Sequence, residues 1–170
     1  LNTKKIQYQK NTFGKKIMEF HGLSRYGFKG TKHVEAAFEE LKQKYPNDLE
    51  LVITGNLPQK EYLQLMRKSN IVIDQVNSYS SGMNALYALA MGKVVLGGAE
   101  PDGFSSLNIE STPVINVKPS KESIINEIDK LLQDKSKLLD IGKNGRLFVE
   151  KIHGHTKVAQ KYIDTWKGSN

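Results

Sequence analysis

Apolar residues fall along this chain in two alternating patterns: short solid runs, and longer stretches with helical spacing. The solid runs are Lys16–Gly22 (KIMEFHG), Leu49–Thr54 (LELVIT), Ile71–Ile73, Lys93–Leu96 (KVVL) and Pro113–Val117. Each suits a strand buried on both faces of a sheet. Between them the spacing turns helical. Val34, Ala37, Phe38 and Leu41 follow Thr31, and Tyr62, Leu63 and Met66 follow Pro58, which sits well at a helix start. Met83–Met91 (MNALYALAM) is rich in helix formers and Gly92 stops it. Ala99–Thr112 predicts a long loop with Pro101, Asp102 and Gly103 as its turn residues.

The last third is helical. Ser120 is a candidate N-cap for a helix with Ile124, Ile125, Ile128, Leu131 and Leu132 on one face. Ser136 begins the next, with Leu138, Leu139, Leu147 and Phe148 as expected core contacts and Gly142 and Gly145 weakening its middle. Thr156 is the expected cap of a final helix carrying Val158, Ala159, Tyr162, Ile163 and Trp166. Residues 1–15 are polar, basic and aperiodic, which predicts an incoming linker ahead of a single domain over 16–170. Alternating strands and helices imply βαβ units and a parallel sheet. The predicted fold is an α/β, Rossmann-like parallel sheet with helices on both faces and a helical C-terminal tail.

The stretch from Asn70 to Gly98 carries the chemistry. It reads strand, polar loop (DQVNSYSSG), helix, strand. A helix that starts after Ser80-Ser81-Gly82 presents free backbone N–H groups and the positive end of its dipole. Gly82 lets a ligand approach the backbone. That is a place for an anion such as a phosphate, although an ordinary βα turn fits the same residues. Arg25 and Lys29, in the loop after the first strand, fall on the same rim of a parallel sheet. Two cations and a helix start can neutralise a diphosphate.

Composition narrows the alternatives. The net charge of +7 favours anionic partners, but the basic residues are spread over helix faces and the N-terminal segment. The 170 residues contain no cysteine, so disulfides and thiolate chemistry are excluded. Four histidines are poor material for zinc, and His153-Gly154-His155 reads as a loop turn, so no metal site is expected. No run is long enough to span a bilayer and no signal peptide is visible. There is no Gly-x-Gly-x-x-Gly after a strand, no P-loop and no Gly-x-Ser-x-Gly elbow. The basic N-terminal run KKIQYQK offers one aromatic, Tyr8, so nucleic acid is not an expected partner. A start at Leu1 suggests a piece of a longer protein.

The segment HGLSRYGFKGTKHVEAAFEEL resembles the start of the C-terminal domain of GT-B glycosyltransferases, especially family four of the retaining enzymes. There a strand ends in Gly, an Arg follows and a Lys-Gly pair opens the next helix; Gly22, Arg25 and Lys29-Gly30 match. SNIVIDQVNSYSSGMNALYALAMGKVVLGG resembles the family's donor-site stretch, with its Glu-Gly-Phe-Gly turn at Tyr79-Ser80-Ser81-Gly82. The resemblance implies the donor-binding half of an enzyme that transfers a sugar from a nucleoside diphosphate sugar, a substrate rather than a cofactor. It implies Arg25 and Lys29 as catalytic cations, and a donor site of Gly22, Gly55, Tyr79, Ser80, Ser81, Gly82, Met83, Asn84 and Tyr87. It also implies an N-terminal acceptor domain outside this sequence, and work on cell-envelope glycans or lipids in the cytoplasm, at the inner membrane face. One departure stands out. The family has two glutamates, for donor sugar and ribose, where this chain has Tyr79 and Tyr87. A phenol cannot accept from both ribose hydroxyls as a carboxylate does. A non-catalytic scaffold of the same fold, or half of a sugar-nucleotide epimerase, are the alternatives.

Overall fold

The computed structural model describes residues 1–23, 26–105 and 109–168. Five strands, β1 (Ile17–Leu23), β2 (Leu49–Gly55), β3 (Ile71–Ile73), β4 (Val94–Gly97) and β5 (Ile115–Asn116), form one sheet in the order β2-β1-β3-β4-β5. Every pairing is parallel. The helices are α1 (Thr31–Lys44), α2 (Gln59–Lys68), α3 (Met83–Ala90), α4 (Pro101–Ser105), α5 (Lys121–Gln133), α6 (Lys137–Phe148) and α7 (His155–Gly168). This is the expected Rossmann-like sandwich.

Strand alternation sorts the side chains into two cores. Ile17, Ile71, Ile73, Val94 and Leu96 join Val34, Phe38 and Leu41 of α1 and Ile124, Ile125 and Ile128 of α5 on one face. Phe20, Val72 and Val95 join Met66 of α2 and Ala85, Ala88 and Leu89 of α3 on the other. Ser120 caps α5 as expected, its hydroxyl accepting from the Ser123 N–H at 3.1 Å.

Several local expectations give way. The loop over 99–112 contains the short helix α4. The strand over Pro113–Val117 contracts to two paired residues. Thr156 lies inside α7, which begins at His155. Leu139 and Leu147 are 39% and 53% exposed rather than core. The buried line of α6 runs Leu138, Gly142, Gly145 and on to Val149, so both leucines fall off it. The two glycines are contact points: a Cβ on Gly142 would come within 2.1 Å of the Gly92 carbonyl, and one on Gly145 within 2.7 Å of Leu89. Their absence of side chain lets α6 lie against the α3–β4 corner.

Residues 1–12 are docked on the domain. Ile6 is buried, and Asn11 and Asn70 bond each other at 2.9 Å beneath the sheet. Arg146 of α6 gathers this segment: its guanidinium donates to the carbonyls of Thr3, Ile6 and Ala90. Ala90 ends α3, so the cation also meets the negative end of that helix dipole. By contrast α7 buries none of its residues, and Tyr162 and Trp166 are 61% and 72% exposed.

One core position works against stability. Glu19, mid-strand in β1, is fully buried and neither carboxylate oxygen has a hydrogen-bond partner. Burial pushes its carboxyl from 4.5 up to about 8. The folded state therefore holds a proton that the unfolded chain releases, and stability falls as pH rises from about 4.5 towards about 8. Glu19→Met is expected to remove this slope. Its advantage over the parent should widen by on the order of 3 kcal/mol between pH 4.5 and roughly 7, read by urea denaturation at several pH values. A gap that stays constant with pH would contradict the assignment.

Candidate functional site

In a sheet of order 2-1-3-4-5 the strand order reverses between β1 and β3, and ligands of such folds bind outside the carboxyl ends of the strands at that point. The loops after β1 and β3 meet there. Lys29 and Gly30 close the first loop, and Gly30 is the N-cap of α1 at φ 71°, a left-handed conformation suited to glycine. The second loop lies against it: the Val76 N–H donates to the Lys29 carbonyl at 3.1 Å, and the Asn77 amide to the Gly27 carbonyl at 3.1 Å. A Cβ on residue 30 would approach the Val76 side chain to 2.4 Å.

At the join sits a buried ion pair. The Lys29 ammonium donates to the Gly22 carbonyl at 3.1 Å and stands 3.4 Å from Asp74 Oδ1, with both side chains under 10% exposed. Asp74 Oδ2 accepts from the Gly82 N–H at 3.2 Å. Gly82 is the N-cap of α3 and supplies no side-chain cap, so a carboxylate eight residues upstream satisfies one of the helix's orphan donors. Asp74 is held in place by its own N–H, which donates to Leu96 of β4 at 2.9 Å. Lysine, carboxylate and helix start thus form one continuous unit. At the helix start where a ligand anion was expected, Asp74 takes the N-cap amide of Gly82.

Buried groups brace this unit. His21 Nδ1–H donates to the Ile73 carbonyl at 2.8 Å, which leaves Nε2 to accept from the Thr31 hydroxyl at 3.0 Å. Burial holds the imidazole below its ordinary value, so the ring is neutral and ties β1, β3 and the start of α1 together. Tyr62 lies over Gly22, where a Cβ would meet its hydroxyl at 2.2 Å. Burial, with the Asp74 charge adding, pushes this phenol up to about 12. On the far side, the Gln75 amide ties to the Ser80 carbonyl at 2.8 Å and to the Ser78 hydroxyl at 3.2 Å. Gly98 admits the crossing loop, since a Cβ there would lie 1.5 Å from the Ser78 carbonyl.

The residues expected from sequence separate into groups. Gly22, Lys29 and Gly82 come together through Asp74. Tyr79, Ser80 and Met83 face solvent, Tyr79 being 71% and Met83 57% exposed. Ser81 and Asn84 are half-buried at the start of α3. Tyr87 packs partly buried against the core that contains Phe20 and Val72. Gly55 ends the edge strand, paired with Leu23, so β1 stands between it and α3. Arg25 lies outside the described residues. Asp74 and His21 were not anticipated as site residues. The only trace of Asp74 in the sequence is an acid immediately after an apolar strand. Among the described residues no three His, Asp or Glu side chains gather to hold a metal, and no helix is long and apolar enough to cross a membrane.

Removing one partner of a buried pair costs about 3–5 kcal/mol because the other charge is left uncompensated. Asp74→Asn and Lys29→Met should each be strongly destabilising, and the double variant less so than their sum by at least about 1 kcal/mol. Urea denaturation of the four proteins checks this; strictly additive singles would contradict the pairing.

The family profile described as glycosyl transferases group 1 matches residues 28–148. A search of curated protein sequences finds no significant match. Among solved structures, Anabaena HepE in complex with UDP is 15% identical with a TM-score of 0.67, over 91% of this chain and 49% of that one. The sucrose-phosphate synthase of Thermosynechococcus elongatus is 21% identical with a TM-score of 0.67, over 99% of this chain and 50% of that one. The C-terminal domain of LpcC, a group 1 family glycosyl transferase from Francisella tularensis, is 18% identical with a TM-score of 0.63, over 91% of this chain and 99% of that domain. The chain therefore spans about half the length of HepE and of the synthase, and all of the separate LpcC domain. With the profile covering most of its residues, this chain belongs to the glycosyl transferases group 1 family.

Proposed function

We propose that this chain is the donor-binding half of a GT-B glycosyltransferase that moves a sugar, with retention, from a nucleoside diphosphate sugar to an acceptor. The observation that carries the proposal is the joining, at the strand-order reversal, of the loop bearing Lys29 to the N-terminus of α3. The solved complex of HepE with UDP, a protein of the same fold, supports a nucleotide as the ligand. The chemical difficulty of the reaction is negative charge on the departing diphosphate. Donors fixed before the reaction stabilise such charge without reorganising. The first-turn amides of α3 at Met83 and Asn84 and the Lys29 ammonium are those donors here, and Arg25 is proposed to add its guanidinium. Asp74 fixes the ammonium and the helix start relative to each other. The sugar nucleotide is a substrate, and the chain's own groups do this work without a cofactor.

The acceptor half is a second Rossmann-like unit beyond this sequence. Two observations support it: the half-length coverage of HepE and the synthase, and the unburied Tyr162, Ile163 and Trp166 on α7. Cell-envelope glycan or glycolipid synthesis, at the cytoplasmic face of a membrane, suits the net charge of +7. The scaffold alternative draws on two features, Asp74 on the N-cap amide of α3 and tyrosines at 79 and 87.

Calorimetric titration of this chain with UDP, GDP and their sugars tests the proposal. Weak binding of one nucleotide series is expected, with no sugar transfer by the chain alone. Arg25→Ala and Lys29→Ala should each weaken binding tenfold or more, with circular dichroism confirming that the variants fold. No binding by any nucleotide would favour the scaffold, and turnover by the isolated chain would contradict the division into two halves.

A further inference from the structure

The two edges of the sheet differ. β5 pairs through two residues, whereas β2, at the other end of the order, holds seven residues in unbroken register against β1. An edge strand of that length is a template for another strand unless something blunts it. β2 (LELVITG) contains no proline, no lysine and no bulge, and Glu50 is its only charge. Among the described residues no helix or loop bonds to its outer side. The backbone parity is fixed by the Ile17 N–H, which donates to the Asp48 carbonyl at 2.8 Å. In a parallel ladder this turns the backbone groups of Glu50, Val52 and Thr54 towards β1 and those of Leu51 and Ile53 outward.

The side chains along this edge are half-covered. Leu51 and Ile53 pack partly buried against the core of α1 and α5, and Val52 against the core of α2 and α3. Between the edge and α2 runs a hollow of about 360 Å³, with Val52, Leu57 and Leu65 as its apolar members and Glu61, Gln64 and Lys68 as its exposed polar ones. β3 is parallel to β2 in the sheet, so α2 runs back antiparallel to β2. Glu61 therefore lies towards the end of the strand and Lys68 towards its start. The two charges stand about two turns apart on one face of the helix. Among the described residues neither belongs to an ion pair.

We infer that β2 pairs antiparallel with β2 of a second copy of this chain, about a two-fold axis at Val52, to make one continuous sheet. That axis sets Leu51 opposite Ile53 of the second copy. Both turn their backbone groups outward, so they exchange N–H···O bonds, while Val52 faces its own counterpart as a pair without them. Apolar side chains then meet apolar ones across the join, and Glu50 meets Thr54 rather than a second Glu50. A slip of one residue would match outward groups with inward ones and lose the ladder. On α2 the same axis brings Glu61 to Lys68 of the second copy, and Lys68 to its Glu61. Gln64 and Leu65, midway between these charges, line the hollow beside Val52, which is what places the axis there. Opposite charges at the two ends of one helix complement themselves when reversed, as a two-fold contact requires. A partner of single-signed charge would be repelled at one end. The junction of Lys29 with α3 lies on the far side of β1 and stays open.

Sedimentation equilibrium of the chain over a concentration series, with amide hydrogen exchange read by NMR at low and high concentration, tests this. A reversible species of twice the chain's mass is expected. As it fills, exchange at the Leu51 and Ile53 amides should slow, while the Val52 amide, already bonded to β1, keeps its rate. Glu61→Lys, at an exposed position, should weaken the dimer at least about tenfold, equivalent to about 1.4 kcal/mol. Glu61→Lys combined with Lys68→Glu, which reverses both charges, should return it to within about threefold of the parent. Circular dichroism checks that each variant folds. A chain that stays monomeric throughout, a dimer whose Leu51 and Ile53 amides exchange as fast as in the monomer, or a double reversal that fails to restore the dimer overturns the inference.

Discussion

The structure turns on one buried ion pair. Asp74 stands at the end of β3, anchored to β4 through its backbone, and its two oxygens face Lys29 and the N-cap amide of α3 at Gly82. Each partner would be costly to bury alone. Together they fix the loop after β1, the loop after β3 and the start of α3 in one arrangement. The neutral His21 beneath them and Gly30 in its left-handed conformation lock the same junction from the α1 side. The candidate site is therefore preorganised by internal charge before any ligand arrives. The same pair moderates the cation, since Lys29 is screened from solvent and shares its charge with a carboxylate.

The rest of the domain holds that junction in place. Two apolar layers clamp the sheet, and Arg146 fastens the N-terminal segment and the end of α3 together, so α3 is gripped at both ends. The helix dipole meets a carboxylate at one end and a guanidinium at the other, the favourable sign in each case. α7 stands apart, with none of its residues buried and its aromatic residues uncovered.

Much of this architecture was legible in the sequence, and the reasons are local. β3 and α3 could be placed because Ile71–Ile73 is a solid apolar run and Met83–Met91 a run of helix formers ended by glycine. Periodicity fails where burial is decided by a distant neighbour. Leu139 and Leu147 look like core residues, yet the helix line that meets the sheet is made by Gly142 and Gly145, valued for closeness rather than apolarity. The helix within 101–105 was hidden by a proline and a glycine that read as a turn. In the site, Lys29 and Gly82 were visible as a cation and a helix start. Asp74 was not, because a polar residue after a strand looks like any loop residue until the fold brings it to Lys29, 45 positions earlier in the chain.

The central claim is that a nucleoside diphosphate binds where the Lys29 loop meets the start of α3. Backbone amide NMR of the chain during titration with UDP or GDP addresses it most directly. The account predicts shifts concentrated at Gly82, Met83 and Asn84 and in the loop from Tyr26 to Gly30, with α7 unmoved. Shifts centred elsewhere, with those amides silent at saturation, would contradict it.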